Sequence, residues 1–291
     1  MRRALIVYNP MSGRHLHRRN LARIVAALRA GGIAAEPTPT SAPGHATQIA
    51  RDAVAQGFEV VFGYGGDGTI RETAEGLCGT EIALGVLPGG TVNVVARAFA
   101  LTTNPVEAAR RQCQLRPRLI DVGLCAGKPF LMQASSGPEA YAMHRLSSAL
   151  KTRLGFFGAA LSTTASILRY SFPTLDVEAD GRQFQARGAM VCNISELAGP
   201  YRLIPDGRFD DGRMELFLFK GEDLFDAASF SLDLFRGVHT RRRDVEIHHV
   251  ERVVFSGPPD AYVQLDGDAL VGVPHPIEMT LAPKRLYALV A

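Results

Sequence analysis

The sequence is short of almost every mark of a specialised class. Of its 291 residues only four are cysteine, Cys78, Cys113, Cys125 and Cys192. They are scattered, with no CxxC pair and no zinc spacing, and are read as reduced thiols of a cytosolic protein. The histidines show no HExxH or other ligand spacing, so His15, His17, His248 and His249 are read as surface or core residues. Charge is nearly balanced: a net charge of +3 and a pI of about 8.7 are too mild to argue for nucleic acid. A basic patch would still help at an anionic membrane surface. Long hydrophobic runs are missing as well. The most apolar long stretch, residues 154–168, is interrupted by Ser162, Thr163, Thr164 and Ser166 and is shorter than the ~20 residues of a membrane span. The opening MRRALIVYNP has basic flanks, but its apolar run breaks at Asn9-Pro10, and no signal peptide is read there. There is no internal repeat and no low-complexity segment.

What is present is ordinary globular composition, 46% hydrophobic and 21% charged, with length for one large or two modest domains. The rest of the chain is organised around residues 59–77, EVVFGYGGDGTIRETAEGL. Val60, Val61 and Phe62 form an apolar run bounded by glycine, which reads as a buried strand. Gly63, Gly65, Gly66 and Gly68 follow, with Asp67 among them. From Thr69 the pattern is helical, with threonine as cap and Glu72 three residues on, a capping-box spacing. A strand, a glycine turn and a helix start together present backbone N–H groups to a phosphate. The literal dinucleotide match Gly63-x-Gly65-x-x-Gly68 is weak, because the next strand, residues 82–87, ends in Pro88-Gly89-Gly90-Thr91 rather than in an acid. A Walker loop is excluded, since no Gly-Lys-Ser/Thr follows. A carboxylate in such a loop calls for a cation beside it or a substrate proton to take; the plainer reading is an aspartate that caps the helix.

Residues 4–8 are an all-apolar strand ending in the polar turn Asn9-Pro10-Met11-Ser12-Gly13, and a basic amphipathic helix follows over 16–30. Residues 33–38 read as a strand, 40–45 as a loop and 46–56 as a helix. Strand and helix alternate, which argues for a doubly wound, mostly parallel α/β sheet. The turns at residues 63–68 and 88–93 leave neighbouring strands of that sheet and face one crevice, which favours a nucleotide over a merely structural pair of turns. Short helices follow at 96–101 and 105–114. Near Arg116 the character changes. Strands are expected at 119–124, 129–134, 177–179, 183–194, 213–220, 245–250, 252–256 and 261–266, with a helical region over 139–170. The second half is therefore a β-rich sandwich or partly closed barrel. The expected domains are 1–118 and 119–291, with the C-terminal tail packing back on the first and the active cleft between them. Asp121, Asp210-Asp211-Gly212 and Asp266-Gly267-Asp268 stand out, though each Asp-Gly also reads as a turn. Arg241-Arg242-Arg243 is read as a solvated face, with phosphate or anionic lipid as the second reading.

The ordered set Asn9-Pro10-x-Ser12-Gly13, Gly65-Gly66-Asp67-Gly68-Thr69, Pro88-x-Gly90-Thr91-x-Asn93-x-x-Ala96-Arg97, Asp210-Asp211-Gly212 and Asp266-Gly267-Asp268 resembles the diacylglycerol kinase catalytic-domain family, which includes bacterial lipid kinases and sphingosine kinases. The glycine-aspartate motif alone is shared with NAD kinases and 6-phosphofructokinases. The resemblance covers nearly the whole chain. It implies an α/β domain of NAD kinase/diacylglycerol kinase type, a β-sandwich, and ATP-dependent transfer of the γ-phosphoryl group to a lipid hydroxyl. By that resemblance ATP touches Asn9, Pro10, Met11, Ser12, Gly13, Thr40, Gly66, Asp67, Gly68, Thr69, Ile70, Arg71, Glu72 and Thr91. Asp268 is the base. A structural Mg²⁺ takes the Asp211 carboxylate with main-chain oxygens near Arg208 and Arg213, and Asp67 and Asp121 help hold a catalytic Mg²⁺. The implied partners are ATP and a lipid at the inner membrane surface, with no nucleic acid, and a homodimer is left open. The chain departs from the family at Val94, where an aspartate is usual, at Asp268, where glutamate is usual, at Gly137-Pro138-Glu139-Ala140 and at Ala198-Gly199-Pro200. Two alternatives therefore stand beside the kinase: a catalytically weakened lipid- or nucleotide-binding homologue, and an NAD kinase-like enzyme.

Overall fold

The computed structural model describes residues 1–11, 17–145, 170–198, 201–257, 262–282 and 285–291. They form two compact units, Met1–Val122 with Ala282–Ala291, and Gly123–Leu281. Ser12, Gly13 and residues 154–168 lie outside the described residues.

In the first unit strand and helix alternate. The elements are β1 (Arg2–Tyr8), α1 (His17–Ala30), β2 (Ile33–Pro39), α2 (His45–Ala55), β3 (Val60–Gly65), α3 (Asp67–Leu77), β4 (Ala83–Pro88), α4 (Val94–Ala98), α5 (Pro105–Gln112) and β5 (Arg118–Ile120), and the end of the chain returns as β20 (Leu286–Ala288). The sheet order is β2-β1-β3-β4-β20-β5. The first five of these strands run parallel and β5 runs antiparallel to β20. β3 and β4 are buried along their whole length, which is why both read as unbroken apolar runs with glycine rather than as alternating patterns. Ile24 and Leu28 of α1 and Val106 and Ala109 of α5 share one core cluster with Ala4, Ile6, Val60, Phe62 and Tyr64 of the sheet. Helices α2 and α3 meet closely at Gly76, where a Cβ would lie 2.6 Å from Ala50 Cβ. Buried Gln112 completes β4: its amide accepts the Val86 N–H at 2.8 Å and donates to the Val86 carbonyl at 2.7 Å.

The second unit holds β6 (Gly123–Cys125), β7 (Lys128–Phe130), β8 (Gln133–Ser136), α6 (Pro138–Arg145), β9 (Leu175–Ala179), β10 (Arg182–Ala186), β11 (Gly188–Cys192), β12 (Glu196–Ala198), β13 (Tyr201–Arg202), β14 (Met214–Phe219), α7 (Leu224–Phe235), a 3-10 turn at His239–Arg241, β15 (Val245–Val250), β16 (Arg252–Ser256), β17 (Val263–Leu265), β18 (Asp268–Leu270) and β19 (Ile277–Leu281). Two antiparallel sheets, β10-β9-β16-β19-β6-β7 and β15-β14-β11-β8-β17-β18, make the sandwich. Its core takes Val177, Phe255 and Met279 from one sheet and Val191, Leu216 and Leu265 from the other. Strand β14 is buried on both faces. Met214, Leu216 and Leu218 point into the sandwich, while Phe217 and Phe219 join a second cluster covered by Ala227, Phe230 and Leu234 of α7.

Three local expectations change. LIDVGL is not one strand: the chain breaks at Asp121-Val122, so β5 joins the α/β sheet and β6 joins the sandwich. Residues 129–134 and 183–194 are likewise each divided between two strands, parted at Leu131-Met132 and at Arg187. The helical region expected over 139–170 is seen as α6, and residues 146–169 lie outside the described residues.

Candidate functional site

In the first unit four consecutive loops leave the carboxyl ends of neighbouring parallel strands, the edge at which open α/β sheets hold ligands. Backbone hydrogen bonds tie these loops together. The Asn9 N–H donates to the Tyr64 carbonyl at 3.2 Å, Thr40 N–H to the Tyr8 carbonyl at 2.8 Å, and Gly89 N–H to the Gly65 carbonyl at 2.7 Å. Asn9 shapes its own turn, its Oδ1 accepting the Met11 N–H at 2.9 Å. The sequence-expected residues Asn9, Pro10, Met11, Thr40, Gly66, Asp67, Gly68, Thr69 and Thr91 thus all belong to loops or first turns on one sheet edge.

The two glycine turns touch. A Cβ on Gly90 would stand 2.7 Å from Gly66 Cα and 3.2 Å from Asn93 Oδ1, so only glycine permits this approach. Asn93 sits in the left-handed region at φ 55° and clasps Gly90 with two bonds of 2.9 Å, one to its N–H and one to its carbonyl. A Cβ on Gly65 would lie 2.6 Å from Thr69 Oγ1, which packs that hydroxyl against the strand end.

Helix α3 begins at Asp67, two residues before the expected cap. Gly66 is its N-cap residue, and its carbonyl receives the Thr69 N–H at 3.0 Å and the Ile70 N–H at 3.2 Å. The capping box is therefore absent. Glu72 instead reaches across to α2, where its carboxylate accepts the Gly44 N–H at 2.9 Å and the Ala46 N–H at 3.3 Å. Ile70 is fully buried. Arg71 lies 4.0 Å from Glu75.

Asp67 points at the next helix. Its Oδ1 accepts the Val95 N–H at 3.0 Å. Burial pushes its carboxyl above the ordinary value, opposed by the N–H groups of Val95, Val94, Asp67 itself and Asn93. Val94, where the family pattern has an acid, opens α4 with its side chain buried. Asp121 is fully buried and pairs with Arg285 of the same unit, Oδ1 to Nε at 2.8 Å.

In the second unit Asp266-Gly267 is the two-residue turn of the hairpin β17–β18, at φ 50° and 82°. Asp266 is more than a turn residue. Its buried carboxylate accepts the N–H groups of Leu131, Met132 and Gln133 at 2.9, 2.8 and 2.9 Å, a role that nothing in an Asp-Gly pair announces. Asp268 opens β18 and is exposed. Arg208 is bonded to Asp210 at 3.1 Å, and Asp211 Oδ1 accepts the Arg213 N–H at 3.1 Å in a tight turn closed by Gly212 at φ 77°. Two further carboxyls, partly buried Glu139 and buried Glu215, were given no role by the sequence. Glu139 is bonded to Ser135 Oγ at 2.7 Å, to Gln133 at 3.2 Å and to Gln264 at 3.4 Å. Glu215 is fully buried on β14, and among the described residues neither of its oxygens has a hydrogen-bond donor, though His249 Nδ1 lies 3.4 Å away. Burial first, and the Asp211 charge second, push it up to about 7. Asp211 and Glu215 are two neighbouring acids, and among the described residues no group of three or more Asp, Glu, His and Cys side chains is placed to hold a metal ion, so a cation here would need main-chain oxygens besides Asp211.

The chain's two halves match two family models, the diacylglycerol kinase catalytic domain over residues 3–125 and the YegS C-terminal NAD kinase beta sandwich-like domain over residues 133–290. It is 29% identical over 273 residues to the diacylglycerol kinase of Bacillus subtilis strain 168, spanning 92% of this chain and 90% of that protein. To the diacylglycerol kinase of Staphylococcus saprophyticus it is 27% identical over 271 residues, spanning 92% and 89%. A solved structure of a diacylglycerol kinase candidate from Bacillus anthracis superposes with a TM-score of 0.85 at 24% identity, covering 99% of this chain and 95% of that one, which establishes the shared fold. The chain belongs to the diacylglycerol kinase catalytic-domain family, whose named members are phosphotransferases with an alcohol acceptor.

Proposed function

We propose that the chain is an ATP-dependent lipid kinase, transferring the γ-phosphoryl group to a hydroxyl of a diacylglycerol- or sphingosine-like lipid at a membrane surface. The observation that carries this reading is the convergence of the loops after β1, β2, β3 and β4 on one sheet edge, with Asp67 held between two glycine turns in contact.

In this reading the glycine turns and the first turn of α3 supply backbone N–H groups to the phosphates, since the opening N–H groups of a helix have no acceptor within it. Asn9 to Gly13, Thr40, Gly66 to Glu72 and Thr91 surround the nucleotide. Asp67 and Asp121 carry the negative charge that would hold a catalytic Mg²⁺, and the Asp211 turn with the Arg208 and Arg213 main chain would hold a structural one. Bound Mg²⁺ supplies neutralisation of phosphate charge. Asp268 takes the proton of the attacking lipid hydroxyl.

A second reading has its own support. Val94 removes one acid from the set, and Asp67 is engaged with the start of α4. Both fit a homologue that binds nucleotide and turns over slowly. The test is transfer of labelled γ-phosphate from Mg-ATP to diacylglycerol, sphingosine and NAD, with the lipids in mixed micelles. A labelled lipid supports the kinase; labelled NAD in preference to every lipid moves the chain to the NAD kinase-like reading; ATP binding without transfer supports the weakened homologue.

A further inference from the structure

Helix α7 is apolar on two faces, and the sandwich uses only one. Its inner face, Ala227, Phe230 and Leu234, packs on the cluster of Phe217, Phe219 and His239. The outer face carries Phe225 at 80% exposure, Leu232 at 49% and Phe235 at 63%, with Ala228 between them and Leu224 at 37% on the flank. Positions 225, 228, 232 and 235 fall at spacings that line up along one side of a helix. No residue of this helix is buried. Such a stripe is far from a scatter of single exposed side chains and marks an interaction surface.

The surroundings say what covers it. Asp233 and Asp244 are both bonded to Arg242, at 2.9 and 2.7 Å. That leaves Arg236, which follows Phe235 in the chain, and Arg241 and Arg243, which flank Arg242, exposed and, among the described residues, in no salt bridge. Tyr201 stands edge-on to Phe235 with ring centres 4.7 Å apart. At the other end Asp223 and Asp226 are turned to backbone N–H groups, those of Asp226 and Glu222, and Glu222 and Asp223 are the exposed acids there. An exposed phenylalanine-leucine stripe bordered by a tyrosine and free arginines is the composition of a helix lying in a bilayer interface, with rings below the headgroups and guanidinium groups on the phosphates. Among the described residues no helix is long and apolar enough to cross a membrane.

We infer that the outer face of α7 docks on anionic lipid bilayers, with Phe225, Leu232 and Phe235 entering the interface and Arg236, Arg241 and Arg243 on lipid phosphates. The inference rests on the lipid-kinase reading for its choice of a bilayer as the partner.

The chain contains no tryptophan, so Phe225→Trp gives a single reporter on the stripe. The full-length variant is mixed with vesicles of phosphatidylglycerol and phosphatidylcholine, and emission is followed with and without brominated lipid. The inference expects a blue shift on vesicle addition, quenching by brominated lipid, and loss of both with pure phosphatidylcholine or high salt. In flotation with the same vesicles, Phe225→Asp/Leu232→Asp lowers the bound fraction about tenfold or more, while Arg236→Glu/Arg243→Glu weakens binding only to the anionic vesicles. Exposed positions keep the fold, which a thermal melt of each variant checks. An unshifted tryptophan in the presence of bound vesicles overturns the inference. So does a shift that depends on protein concentration without lipid, which assigns the face to a second copy of the chain. Phosphoryl transfer to a micellar acceptor is measured separately: vesicle docking without transfer leaves this surface standing and removes the kinase, and transfer without docking does the reverse.

Discussion

Asp67 and Val95 are joined by a 3.0 Å hydrogen bond that makes the two glycine turns one rigid piece, because Asp67 begins α3 while Val95 lies in the first turn of α4. The carboxylate that would attend a cation is thus also the anion at the N-terminus of a neighbouring helix. Its orientation is fixed before any ligand arrives.

That double role sets the outcome of restoring the missing acid. Val94→Asp puts a second carboxylate at a buried position next to the first. Without metal it costs about 3 kcal/mol, the order of an uncompensated buried charge. With Mg²⁺ much of the loss returns. Thermal melts of the variant in EDTA and in excess Mg²⁺ check this, and equal melting points in the two conditions contradict it.

Gly90→Ala tests the contact between the turns. The new Cβ would sit 2.7 Å from Gly66 Cα, a backbone atom that cannot rotate away. We expect about 1–3 kcal/mol of destabilisation and a nucleotide affinity weakened more than the stability alone explains. Denaturant titration and ATP titration of the same sample separate the two effects.

Much of this was legible in the sequence, and the failures have physical causes. Buried parallel strands such as β1 and β3 are continuous apolar runs, and glycine turns with polar neighbours are visible at their ends. The β-rich second half showed as a change of period. LIDVGL failed because six apolar-rich residues cannot reveal that their two ends hydrogen-bond in different sheets. Thr69 and Glu72 matched a local cap, but the tertiary partner Gly44 took the glutamate. Asp266 and Glu139 owe their roles to partners far apart in the chain, at Leu131 and Gln264. Helix α7 was missed because a helix apolar on both sides has no amphipathic period to detect.

The Asp211 turn predicts a stabilising cation. With Mg²⁺ near a hundred times its Kd, binding adds about 2.7 kcal/mol. Asp211→Ala removes that increment and leaves the metal-free melting point close to that of the wild type, since its carboxylate makes a single exposed bond to the Arg213 N–H. A melting point of the wild type that is indifferent to Mg²⁺ and Ca²⁺ rules the site out.

Cysteine chemistry follows burial. Burial pushes the Cys125 thiol up to about 12, against the opposing pull of Lys128, and Cys192 is raised as well. A raised thiol pKa favours the neutral, unreactive form in the fold. Under native conditions a disulfide reagent labels the partly exposed Cys78 and Cys113 and spares Cys125 and Cys192 until the protein is unfolded. Labelling followed by peptide mass analysis reads this directly.

The most direct measurement of the central claim is labelled-phosphate transfer from Mg-ATP to micellar lipid by the wild type and by Asp67→Asn. Asparagine keeps an oxygen for the Val95 N–H and removes the charge, so the variant should melt within about 1 kcal/mol of the wild type. Transfer should fall on the order of a hundredfold or more. A labelled lipid that disappears in a folded Asp67→Asn establishes the kinase and names its acceptor. Transfer that survives the substitution unchanged contradicts the placement of the reaction at these glycine turns.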